Sequence, residues 1–163
     1  MRFLIFVLSA AAFGQTPNVD PAALPQITVG AGPSWTRGAA YASSADIDVA
    51  FRLGSSNVYS WSTVSTPVAK VPAGAPALAS TITTGLAYVA ARSASGAVSL
   101  VTIAQGGVNS VQPSGPVTAA FTGSVGLAFR LGKGPMYLMP YVRASNPTIL
   151  QPGAMLVYGF GGI

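Results

Sequence analysis

The sequence contains no cysteine, no histidine and no glutamate, and its only acids are Asp20, Asp46 and Asp48 against eight lysines and arginines. Lack of cysteine excludes disulfide staples and a lipid-modified cysteine at the N-terminus. Lack of histidine, cysteine and glutamate removes the commonest general bases and activated nucleophiles. A Ser/His/Asp arrangement is impossible, and the chain reads as a non-enzyme. Two carboxylates at positions 46 and 48 are a poor ligand set for a cation. No G-x-x-x-x-G-K-[ST] loop is present to cradle phosphate. Neither a metal nor a cofactor is expected.

Charge of either sign is scarce. Charged residues make up 7% of the chain, whereas a soluble domain carries about a quarter and its surface normally relies on them. Half the residues are hydrophobic and the mean hydropathy is +0.54. Such a chain has too little polar material to cover itself against water, so its outer face is expected to meet lipid. The net charge of +5 comes from scattered cations with no basic run and no interleaved aromatics. A nucleic-acid partner is therefore not expected.

What is present falls into three parts. "MRFLIFVLSAAAFGQ" opens with Arg2, continues with an apolar core and ends in small residues. It reads as a signal peptide over 1–14, too short to cross about 30 Å of hydrocarbon. "QTPNVDPAALPQ" (15–26) is a Pro-rich lead, expected to be extended and loosely ordered. Residues 27–163 break into about eight apolar stretches with period-two alternation.

The clearest stretch is 117–131. Phe121, Val125, Leu127, Phe129 and Leu131 share one face, while Thr118, Thr122, Ser124, Ala128 and Arg130 share the other. That alternation is longer than most soluble strands and suits a tilted membrane-crossing strand. Similar stretches occupy 27–35, 46–54, 57–65, 81–91, 97–105, 135–143 and 154–162. A membrane helix in the charge-free span 93–129 is disfavoured by its Gly, Ser, Thr, Val and Pro content and its period. Short turns are expected at 54–57, 93–96 and 132–135, and longer loops at 36–45, 67–79, 106–116 and 145–153. This asymmetry is typical of an up-and-down barrel in an outer membrane. The predicted fold is an all-β, up-and-down antiparallel transmembrane β-barrel of about eight strands.

"VAFRLG" (49–54) and "LAFRLG" (127–132) repeat one frame. An arginine facing lipid at mid-depth costs roughly 2–4 kcal/mol, so Arg52 and Arg130 are expected to face the lumen. Asp46 and Asp48, in phase with Arg52, are the available counter-charges for a lumen network. A narrow anion-preferring passage is the alternative use of those arginines. Arg92 and Lys133 fall at short turns, and Arg37, Lys70 and Arg143 at or near long loops, where cations snorkel to an interface. Trp35, Tyr41, Tyr59, Trp61, Tyr137, Tyr141, Tyr158 and Phe160 are assigned to aromatic girdles. Pro140 calls for a bulge or a shortened strand, because it cannot donate to a ladder.

With its signal peptide, alternating strands, short turns and longer loops, the region 27–162 resembles the small eight-stranded outer-membrane barrels of the OmpA/OmpX type. The resemblance implies a place in the outer membrane of a Gram-negative-type bacterium. It also implies outer-membrane lipid and lipopolysaccharide as neighbours, and barrel-insertion machinery as a partner during biogenesis. That machinery commonly reads a terminal aromatic residue, and here Phe160 precedes the final "GGI". The expected role is structural, surface-interacting or concerned with a small solute. A secreted soluble β-sandwich or adhesin-like protein is the rival reading.

Overall fold

A computed structural model describes residues 19–36, 42–68, 79–111, 116–145 and 149–161. The expected signal peptide, together with Arg37, Tyr41 and Lys70, lies outside the described residues. Eight strands follow a short 3-10 turn at Pro21–Ala23: β1 Ile27–Thr36, β2 Ala42–Arg52, β3 Val58–Pro67, β4 Ala79–Arg92, β5 Val98–Val111, β6 Val117–Arg130, β7 Met136–Ser145 and β8 Ile149–Phe160.

Each strand pairs antiparallel with its neighbours in sequence, and β1 pairs with β8 through Ile27↔Phe160, Ala31↔Leu156 and Ser34↔Gly153. The sheet is therefore a closed up-and-down barrel with no free edge. A two-layer sandwich, the architecture of the rival reading, is overturned by that last pairing. Closure requires tilted strands and a staggered register. One row of facing residues runs Arg52↔Tyr59↔Ala87↔Ile103↔Ser124↔Arg143, from the last residue of β2 to a position far from the start of β7.

The repeated F-R-L-G frame marks the place where a strand stops. In the three connections 53–57, 93–97 and 131–135, the amide of the first residue donates to the carbonyl five residues on: Leu53 to Val58, Ser93 to Val98 and Leu131 to Met136, at 2.8–2.9 Å. Each turn contains a glycine at positive φ (Gly54, Gly96 and Gly132), a conformation that costs a residue with a Cβ.

At the opposite end the expected contrast in loop length largely disappears. The connections there are 37–41, 68–78, 112–116 and 146–148, and only 68–78 is long. The segments expected as loops, "GGVNSV" and "LQPG", instead continue β5 and β8. Their glycines serve close approach. A Cβ on Gly107 would sit 1.9 Å from the Ile82 carbonyl oxygen across the ladder, and one on Gly153 would sit 2.4 Å from Cζ of Tyr141. Pro140 stays within β7. It falls where the β6–β7 ladder lapses between Gly126↔Tyr141 and Phe129↔Leu138, and on its other side it keeps register with Ala154 of β8.

Between Val89 and Ala91 the β4–β5 register shifts by one residue, and Arg92 comes to oppose the buried Ser99. A bulge re-aims the side chains beyond it, which turns Arg92 from the outer face toward the barrel mouth.

Candidate functional site

Alternation divides every strand between an apolar outer face and a packed interior. Ile47, Phe51, Leu86, Phe121, Val125 and Leu156 are among many large apolar side chains exposed on the outside, each at 47–61%. The four residues of the expected lumen network separate. Asp46 and Asp48 point inward and are each 1% exposed. Arg52 and Arg130 are at the short-turn rim, about 13 Å along β2 from Asp48 in the case of Arg52. The Nε of Arg52 donates to Gln26 at 3.4 Å. Arg130 folds over its own turn, donating to the carbonyls of Gly134 (3.0 Å) and Lys133 (2.8 Å).

The cation that does meet the acids is Arg143, expected at a loop. Its Nη1 lies 3.1 Å from Oδ2 of Asp46, and both side chains are buried. A second donor to that oxygen is the Tyr141 hydroxyl, and Ser34 donates to Oδ1 at 3.2 Å. The guanidinium stands 5.2 Å from the Tyr141 ring centroid. Asp48 Oδ1 accepts from Trp61 Nε1 at 2.7 Å and from the Thr63 hydroxyl. Gln105 continues the chain, donating to Thr63 (3.0 Å) and to the Trp61 carbonyl (3.2 Å) while accepting from Thr122 (3.3 Å). Six strands (β1, β2, β3, β5, β6 and β7) are thereby cross-braced through the lumen. Asp48 Oδ2 and Arg143 Nε are buried without a hydrogen-bond partner among the described residues.

The aromatic assignment needs the matching correction. Tyr59, Trp61 and Tyr141 are buried in the interior, and Tyr137 packs against that same core. Their phase follows their polar tips. Tyr59 donates to the Pro25 carbonyl at 2.7 Å, Trp61 to Asp48 and Tyr141 to Asp46, partners that an outward ring in an apolar belt lacks. Trp35, Tyr158 and Phe160 are on the outside, the last two with ring centroids 4.7 Å apart.

Toward the short turns the interior becomes apolar. Met139, Met155, Val157, Val89, Val101, Ala50 and Ala87 pack with Tyr59 and Trp61. The lead expected to be loose closes this end over its described part, 19–26. Leu24 is buried in the core cluster, with Val19 packed against it. Arg92 Nη1 donates to the Ala23 carbonyl at 3.0 Å, Gln26 N to the carbonyls of Phe160 and Gly161, and Arg52 N to the Gln26 carbonyl. Apolar burial of about 1.5–3 kcal/mol for a leucine and these bonds offset the entropy of ordering the segment.

No family model and no curated protein matches the chain. No helix among the described residues is long and apolar enough to cross a membrane, which says nothing of crossing by strands. The class defined by the geometry is a closed, eight-stranded, up-and-down antiparallel β-barrel with a greasy exterior and a filled, ion-paired interior.

Proposed function

We propose that the chain is a small outer-membrane barrel, of the kind represented by OmpA and OmpX, that acts as a lipid-embedded scaffold presenting its interstrand connections at the membrane surface. The observation that carries this reading is the inversion of polarity: the buried charges are inside the ring, and large apolar side chains are exposed outside it. In hydrocarbon every backbone donor must be satisfied within the protein, and a closed ladder does so. The packed methionines and aromatics and the Asp46–Arg143 pair favour a structural or surface-interaction role over an open anion passage. The absence of histidine, cysteine and glutamate favours a non-enzyme. Lipid is the principal partner. Lipopolysaccharide phosphates suit Arg37 and Lys70 in the connections, and the insertion machinery suits the aromatic end of β8.

Cell fractionation and gel migration test the reading. The folded protein is expected in the outer-membrane fraction, soluble only with detergent, and to migrate differently when unboiled. Recovery as a soluble periplasmic or secreted protein with no such shift would overturn it. Planar-bilayer recording is expected to show no steady conductance.

A further inference from the structure

Four of the five described cations lie at one end of the barrel, Arg37 and Lys70 falling outside the described residues. Arg52, Arg92 and Arg130 end β2, β4 and β6, and Lys133 stands in the turn after β6, so four cations surround the short-turn mouth. Asp20 is the one acid at that end among the described residues, and its Oδ1 caps the amide of Ala22 at 2.9 Å. The other described cation, Arg143, is buried and paired. Next to the rim, Phe51, Tyr88, Phe129, Tyr158 and Phe160 are exposed on the outer face. The cations thus lie just beyond an aromatic belt, at the level where a bilayer has its headgroups. Neutral carbonyls orient two of them. Arg92 bonds a carbonyl of the lead, and Arg130 engages two of its five donors with turn carbonyls.

We propose that this rim binds the phosphodiester groups of anionic phospholipids in the leaflet on the short-turn side. The proposal rests on the membrane reading above. Guanidinium groups match phosphate oxygens with two parallel hydrogen bonds. Each cation near a membrane surface strengthens binding to anionic lipid by about fivefold.

The test is the apparent affinity of the full, folded chain for phosphatidylglycerol in zwitterionic micelles, read by native mass spectrometry. Arg130→Gln/Lys133→Gln leaves the lead's contacts intact and is expected to lower that affinity about 25-fold at low salt. Lys133→Gln alone, at an exposed turn position, is expected to lower it about fivefold and serves if the double variant fails to fold. The charge-conserving Arg130→Lys/Lys133→Arg is expected to retain most of it. Lys70→Gln, in the connection at the other end, is expected to leave it unchanged. A loss from Lys70→Gln equal to that of the rim variants would overturn the assignment. So would competition by inorganic phosphate at equal concentration, which would point to a free anion as occupant. A chain that inserts into phosphatidylcholine vesicles but shows no preference for phosphatidylglycerol refutes the rim and leaves the barrel reading standing. A chain that inserts into neither refutes both.

Discussion

Replacing Arg143 with methionine would remove the cation that holds Asp46 and leave the aliphatic volume of the side chain largely in place. Asp46 would keep the hydroxyls of Tyr141 and Ser34, but the interior would hold two carboxylates, Asp46 and Asp48, with no buried cation among the described residues. Stranding one member of a buried pair costs about 3–5 kcal/mol. The Arg143→Met barrel is therefore expected to unfold at a distinctly lower urea concentration. Asp46→Asn keeps an acceptor for Tyr141 while removing the charge, but alone it strands the guanidinium instead. The double variant removes both charges and is expected to recover much of the loss, giving a coupling energy of about 2 kcal/mol or more. Equilibrium unfolding in lipid vesicles can be followed by tryptophan fluorescence, because Trp61 is buried and bonded to Asp48 at 2.7 Å. If Arg143→Met unfolds within about 0.5 kcal/mol of wild type, or the coupling is below about 0.5 kcal/mol, the ion pair does not brace the lumen and the reasoning fails.

Three further outcomes follow from named contacts. Gly153→Ala places a methyl group against the Tyr141 ring and is expected to cost about 1–3 kcal/mol. The same change in a Tyr141→Ala background should cost less, and Gly134→Ala, with open space around it, almost nothing; vesicle unfolding midpoints check all three. Val125→Arg, at mid-strand on the outer face, should lose roughly 2–4 kcal/mol in a bilayer, whereas on a water-facing surface it would be nearly neutral. Leu24→Asp sets a charge against the apolar core at the mouth and should speed hydrogen exchange at the amides of Ala23 and Gln26 while the barrel still shows its folded gel migration. Slow exchange in that variant would mean that the lead is held by its backbone bonds alone.

Much of the fold was legible along the chain. Strict alternation in 117–131 fixed the faces of β6, because one face is large and apolar and the other small and polar. The glycines of "FRLG" and "SASG" marked three turns. On β3 neither face carries a charge, so periodicity alone does not choose the phase of Tyr59 and Trp61; on β7 Tyr137 and Tyr141 share the face of Arg143, the one sign along the chain that these rings turn inward. Their phase is decided by Asp46, Asp48 and Pro25, which accept hydrogen bonds from them. The loops expected at 106–111 and 149–153 are strand for a related reason. Gly and Pro signal turns in isolation, yet in a tightly wound ring they permit adjacent backbones and rings to approach.

The charged site was half visible. Asp46 and Asp48 shared a face with the lumen on periodicity alone, but their cation did not follow from it. Tyr141 lies 95 residues from Asp46 in the chain, and β7 reaches β2 across the lumen only because the sheet closes. The single-residue bulge before Arg92 and the seating of Leu24 likewise have no period to announce them. By itself the sequence determined the strand count, the alternation, the turn glycines and an outer face poor in charge, since these are local properties of backbone geometry and composition. Only the tertiary structure decided which arginine is paired, which rings face inward and what closes the mouth. Those outcomes depend on the stagger of a closed ring, which sets the height of each residue against partners on strands distant in the chain.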